Sequence, residues 1–191
     1  VPDNADFRVT PVTAGSAGYN YDAYMQAMND AEEQITAAAA SDEESKAVTI
    51  ENADEEDKPT FNDENTLLYD IAFMVQKTDE LGNPIEGEWY EYQPKEGSVL
   101  FEFVFLANQI TNETNAEKSS DVVAVHLPLG EEVKESVDST AEATAITSDS
   151  INVEVVDVDV AGGGEATADK ATFSLDDMSV VALASLCAAE F

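Results

Sequence analysis

Alternating apolar and polar residues mark most of the strands in this chain. The clearest example is residues 66–76, where every second position is apolar: Leu67, Tyr69, Ile71, Phe73 and Val75. This period of two predicts a strand with one buried face. Similar patterns predict strands over residues 6–12, 98–106 and 121–129, and a terminal hairpin or bent strand over residues 171–186.

The segment 150–160 alternates in the same way but changes phase once. Its apolar residues fall into two sets, Ile151, Val153 and Val155, then Val156, Val158 and Val160. A shift of one residue moves side chains to the opposite face of a strand. The sequence therefore predicts a β-bulge, or a bend between two sheets, at Val155–Val156.

One segment has the period of a helix instead. Over residues 20–38, apolar side chains recur every three or four positions: Tyr21, Tyr24, Met25, Met28, Ala31 and Ile35. This stripe is typical of an amphipathic helix that packs on a core. Short strands with turn signals and one helix predict a mainly β (α+β) fold, an antiparallel β-sandwich with one amphipathic helix near the N-terminus. We expect a single β-rich module over residues 1–191, with a mobile acidic loop at about 41–65.

The net charge of the chain limits the classes of partner that it can bind. Eight basic and 41 acidic residues give a formal net charge of −33. Such a surface repels nucleic acid and anionic membranes, so neither is an expected partner. The sequence has no apolar run of about 18 residues, so we expect no membrane insertion. The single cysteine, Cys187, excludes a disulfide within the chain and a cysteine-based metal site.

Residues that point to catalysis are few. His126 is the only histidine, and no motif marks a serine or cysteine as its nucleophile. We therefore expect His126 and Cys187 to be structural. A glycosidase needs two acids at a defined separation, and 41 acids do not single out a pair. The sequence predicts no enzyme and no required cofactor.

Two ligand hypotheses remain. The stretch GEWYEYQP contains Trp89, Tyr90 and Tyr92, which would serve either as a carbohydrate-stacking platform or as strand residues packed on their neighbours. Asp157 and Asp159, followed by Gly162–Gly164, offer oxygen ligands for calcium. They do not match the twelve-residue calcium loop. The alternative is a solvated strand edge whose charges discourage edge-to-edge pairing.

Short motifs along the chain, taken in order, carry a family resemblance. They are Tyr21 and Tyr24 in the helix, Tyr69–Asp70–Ile71, Gly82 and Ile85, Val123, Val125 and His126, and finally Phe173, Asp176, Met178, Ser179 and Val180. In this order they resemble a module of large cell-wall-anchored surface proteins of Gram-positive gut bacteria.

The resemblance implies a non-catalytic stalk or adhesin module that is extracellular and displayed on the cell wall. Its expected partners are a host or cell-wall glycan or protein and the neighbouring modules of a longer chain. Gram-positive surface modules can also cross-link a lysine to an asparagine inside an apolar core. The lysines near strands here are Lys77, Lys95 and Lys170. The alternatives are a carbohydrate- or peptide-binding module that uses the aromatic cluster, an enzyme with a desolvated carboxylate, and a salt-adapted protein.

Overall fold

The computed structural model describes residues 1–41, 61–94, 99–104, 122–130, 146–161 and 170–186. In this part of the chain there are two helices, α1 Tyr21–Asp30 and α2 Glu32–Ser41, and a short 3-10 turn at Ser148–Ser150. The strands are β1 Ala5–Val12, β2 Thr66–Thr78, β3 Pro84–Tyr92, β4 Val99–Val104, β5 Val122–Leu127, β6 Glu154–Val156, β7 Val158–Ala161, β8 Lys170–Leu175 and β9 Val180–Ser185. The protein is mainly β, as predicted.

The strands form two antiparallel sheets. The larger sheet has the order β1-β2-β9-β5-β6, and the smaller sheet has the order β4-β8-β7. Strand β2 is long enough to pair with β9 along Thr66–Asp70 and with β3 beyond Phe73. The larger sheet therefore gains a sixth strand beside the far half of β2.

Apolar groups cover both faces of the central strands β5 and β9 of the larger sheet. On one face, residues of β5 and β9 pack against the two helices, in a cluster that includes Met28, Ile35, Val125 and Ala182. On the other face, Ile71, Val181 and Leu183 share a cluster with Phe101 and Phe173 of the smaller sheet. Every residue of β5 and β9 is consequently buried.

The alternation in β2 is confirmed, since Leu67, Ile71 and Phe73 belong to the cluster between the two sheets. The opposite face of β2 is buried as well at Leu68 and Ala72. The pattern within β2 does not predict that this second face is buried, because its burial depends on the helices that cover it.

The chain does pass from one sheet to the other near the predicted phase change, but the passage falls at Asp157, one residue beyond Val155–Val156. Strand β6 pairs with β5 in the larger sheet, and β7 pairs with β8 in the smaller one. The terminal segment divides in the same way, because β8 belongs to the smaller sheet and β9 to the larger. Its two strands do not pair with each other as a hairpin would.

The prediction of one helix over residues 20–38 is wrong, because two helices meet at Ala31. The side chain of Asn29 explains the break. Its Nδ2 donates to the carbonyls of Met25 and Phe61, both at 3.0 Å, and its Oδ1 accepts from the Phe61 amide at 2.8 Å. Asparagine and aspartate are weak helix formers, so the bonds to Phe61 end α1 where the stripe alone would continue.

The expected mobile acidic loop at about 41–65 lies mostly outside the described residues, which stop at Ser41 and resume at Phe61. Its far end, from Phe61 to Asn65, is described and is packed against the rest of the protein. Phe61 is only 2% exposed and packs in the helix-side cluster, and Asn65 is buried too. The amide of Asn62 donates to Asn65 Oδ1 at 2.9 Å, which closes a turn that leads into β2.

Candidate functional site

Four polar side chains meet where β5 ends, and we call them the His126 centre: His126, Glu154, Asp177 and Ser179. His126 is only 4% exposed and lies on the same face of β5 as Val122 and Ala124, towards the smaller sheet. Glu154 is its direct cross-strand partner on β6. Asp177 and Ser179 come from the link between β8 and β9. The centre thus joins three separate segments of the chain.

Both ring nitrogens of His126 have partners. Nδ1 lies 2.9 Å from Glu154 Oε2, while Nε2 lies 2.7 Å from Ser179 Oγ and 3.1 Å from Asp177 Oδ1. Carboxylate oxygens therefore face the ring on both sides. Each ring nitrogen therefore lies within hydrogen-bonding distance of at least one oxygen.

The order Ser179–His126–Glu154 has the spacing of a nucleophile, a base and an orienting acid. A general base needs a free lone pair on Nε2. The Asp177 oxygen, 3.1 Å from that nitrogen, competes with Ser179 for it. The Met178 amide, next to Ser179, already donates to Gln93 Oε1 at 2.7 Å. The geometry fits a structural clasp better than an activated serine.

Gln93 reinforces this clasp from the end of β3. Its Nε2 donates to the Met178 carbonyl at 2.9 Å, so its amide bonds both backbone groups of Met178. Sequence reasoning singled out His126 and, through the resemblance, Ser179, but it missed Glu154, Asp177 and Gln93. Only the cross-strand register could have identified Glu154, and no local signal marks the other two.

The three aromatic residues lie on β3, but they do not form one platform. Tyr90 and Tyr92 stand opposite Val75 and Phe73, whereas Trp89 stands opposite Gln76 and points to the other face. The guanidinium of Arg8 lies 4.7 Å from the centroid of the Trp89 ring, a cation–π contact. Tyr90 is 45% exposed.

The residues proposed for calcium are exposed. Asp157 lies in the link between β6 and β7, and Asp159 lies on β7, an edge strand of the smaller sheet, opposite Thr172. Among the described residues, no group of three or more His, Cys, Asp or Glu side chains is placed to hold a metal ion. Gly162–Gly164 lie outside the described part of the chain.

The described lysines near strands are on the surface. Lys170 Nζ lies 3.0 Å from Glu102 Oε2, and Lys77 Nζ lies 3.9 Å from Glu88 Oε2. Both pairs are substantially exposed, so neither lysine sits in an apolar core where a cross-link would form. Lys95 and Cys187 fall outside the described residues.

A second polar pair, half-buried, lies on the helix-covered face of β2. The Tyr19 hydroxyl donates to Asp70 Oδ2 at 2.5 Å. Burial raises the pKa of Asp70 above its usual value, and the bond from Tyr19 partly opposes that rise. Burial, and then the nearby Asp70 carboxylate, raise the pKa of both Tyr19 and Tyr24. An ionised Asp70 is therefore unfavourable in the fold.

Replacing Asp70 with asparagine is expected to raise the thermal unfolding midpoint at pH 7. A carboxyl whose pKa is raised on folding contributes stability below its unfolded pKa, and this is lost as pH rises through the folded pKa. The asparagine side chain stays neutral at every pH and still accepts from Tyr19. Thermal melts from pH 3 to pH 8 should show the advantage of the variant shrinking towards the ordinary aspartate pKa of about 3.9.

Asp79→Asn is a control for which we expect the opposite effect on stability. Asp79 is exposed, and its bonds from the Asn83 side chain and backbone lower its pKa. Its removal should therefore decrease stability at neutral pH and have little effect in acid. A gap between Asp70→Asn and the parent that does not change with pH would contradict the assignment of Asp70 as a half-buried, unfavourable charge.

The fold and the site define an antiparallel, two-sheet β protein with helices on one outer face and a buried histidine clasp. The sequence matches no family model, and comparisons with curated proteins and with solved structures gave no match either. Within the described residues, no helix is both long and apolar enough to span a membrane.

Proposed function

We propose that this chain is a non-enzymatic structural or adhesive module of a bacterial cell-surface protein and that its two sheets form a β-sandwich. The apolar cluster shared by the inner faces of both sheets supports the sandwich. The net charge of −33 supports a solvated, non-sticky exterior. The resemblance to Gram-positive surface modules supports display outside the cell.

The observation that carries this proposal is the placement of β1 and β9 on either side of β2. Strand β1 begins with Ala5 beside Val75 of β2, and β9 ends near Ala184 beside Thr66. Both strands are antiparallel to β2, so they are parallel to each other. The chain thus enters at one end of β2 and leaves β9 at the other end.

This topology determines how the module responds to tension. Force applied before β1 and after β9 acts along the strands, while the ladder hydrogen bonds lie across them. The bonds of the β1–β2 and β2–β9 pairs are then strained together instead of breaking one after another. Such an arrangement suits a module in a chain stretched between a cell wall and a bound partner.

Single-molecule force spectroscopy tests this directly. Pulling from residues 1 and 191 should need a higher force than pulling from residues 1 and 82, because the β2–β3 turn lies beside the start of β1. The second geometry unzips β1 from β2 one bond at a time. Equal unfolding forces at one loading rate would contradict the shear arrangement.

Surface display needs a separate test on the cells that make the protein. Antibodies raised against the purified chain should label intact cells, and proteinase treatment of intact cells should remove the signal. An antibody against a cytosolic protein should label only permeabilised cells. Labelling that requires permeabilisation for both proteins would contradict an extracellular location.

The alternative is a carbohydrate- or peptide-binding module that uses the aromatic cluster. The exposure of Tyr90 favours it. Two observations weaken this alternative relative to the structural module. Trp89 points to the opposite face of the sheet from Tyr90 and Tyr92, and its ring is in contact with Arg8. A sugar ring stacks on one flat surface, and these residues offer only separate ones.

A further inference from the structure

A cavity of about 470 Å³ lies between the end of β1, the start of β2 and the first turn of α1. Its walls are largely apolar and include Val12, Leu67 and Leu68. Among the described residues that line it, Asp63 is the only charged one. The cavity therefore combines an apolar wall with a single carboxylate at its margin.

Tyr21 also lines this cavity, and its buried hydroxyl oxygen has no hydrogen-bond partner within the described part of the chain. Buried polar groups are nearly always paired, so an unpaired one needs an explanation. Burial, and next the charge of Asp63, raise the pKa of Tyr21. Tyr21 and Asp63 thus line the same cavity, one with an unpaired hydroxyl and the other with a carboxylate.

We propose that this cavity binds a primary ammonium group, from a lysine side chain of an extended peptide or from a small free amine. An ammonium group has three donors and no acceptor, so it pairs with both Asp63 and the Tyr21 oxygen. A methylene stem would pack on the apolar wall, as lysine stems do elsewhere.

The charge of the protein favours the same ligand class. A net charge of −33 concentrates cations near the surface, and Asp22 adds a further carboxylate beside Tyr21. An anionic ligand would be repelled by Asp63, and no cationic residue among the described residues that line the cavity would offset this repulsion. Amine binding at this cavity and the mechanical role proposed above are independent, so a negative result for one does not contradict the other.

Nuclear magnetic resonance titration of the ¹⁵N-labelled full chain at constant ionic strength tests the proposal. The probe is Nα-acetyl-lysine N-methylamide, and the matched probe without charge is the norleucine analogue. We expect saturable shifts at the amides of Thr13, Gly15 and Thr66, with binding of the norleucine analogue at least about tenfold weaker. n-Butylammonium distinguishes the two sources: equal binding indicates a small amine, and weaker binding indicates a lysine peptide.

Two variants identify the binding groups. Asp63→Asn should weaken the lysine probe about tenfold, and Tyr21→Phe should weaken it without lowering the unfolding midpoint, since the hydroxyl has no bond to a described residue to lose. Asp157→Asn removes the same charge at the opposite edge of the protein and should change nothing. Shifts that never saturate and spread over the acidic surface, or binding unchanged in Asp63→Asn, would overturn the proposal.

Discussion

Replacing Phe173 with alanine is expected to lower the free energy of unfolding by about 3–5 kcal/mol, the range for large-to-small changes in a packed core. Phe173 lies on β8, the central strand of the smaller sheet, and is only 2% exposed. Its ring centroid is 5.5 Å from that of Phe103 and 5.9 Å from that of Phe101. Its removal leaves a cavity between the two sheets.

Chemical denaturation measures this effect, and the neighbouring strand supplies the control. Leu100 on β4 is 70% exposed, so Leu100→Ala should change stability by no more than about 0.5 kcal/mol. Phe73 on β2 is only half-buried, so Phe73→Ala should fall between these two variants. A Phe173→Ala variant as stable as Leu100→Ala would show that the sheets do not pack through this cluster.

Replacing His126 with alanine is expected to lower the free energy of unfolding by about 1.5–3 kcal/mol, the range for a hydrogen bond to a charged group. The imidazole joins β5 to Glu154 on β6 and to Asp177 and Ser179 before β9. We place the effect no higher because the side chains of Glu154 and Asp177 are 59% and 37% exposed and regain water when the ring is lost.

A double-mutant cycle separates the clasp from general destabilisation. His126→Ala and Glu154→Gln should combine to less than the sum of their separate effects, because both remove the same bond. Glu88→Gln, on the exposed surface of β3, should add independently. Full additivity of the first pair would contradict the clasp.

The parent protein and a Ser179→Ala variant test the structural assignment against catalysis. If His126 is a clasp, the parent should hydrolyse an activated ester no faster than Ser179→Ala does. Hydrolysis that Ser179→Ala abolishes without loss of stability would instead make Ser179 a nucleophile and His126 its base.

Local periodicity predicted much of the fold. The alternation of Leu67, Ile71 and Phe73 identified β2 and its buried face. The phase change at Val155–Val156 came within one residue of the passage between sheets at Asp157. The division of Trp89 from Tyr90 follows from the same rule, since adjacent strand residues point to opposite faces. Once β3 is recognised as a strand, the sequence already argues against one aromatic platform.

Other features depend on residues far apart in the chain. The bonds between Asn29 and Phe61 at the end of α1 join residues 32 positions apart, and the helix stripe does not specify them. The partners of His126 lie 28 and 53 residues away, at Glu154 and Ser179. Nothing near His126 in the sequence specifies which acid or hydroxyl it will meet.

The sequence by itself determined the strand periods, the helical stripe, the acidic character and the single histidine, because each is a property of composition or of neighbouring residues. The tertiary structure decided the separation of β8 from β9, the contacts of His126 and the burial of the Tyr21 hydroxyl away from any described partner. Those features arise when distant surfaces are packed together, and a period of two or 3.6 contains no information about which surfaces will meet.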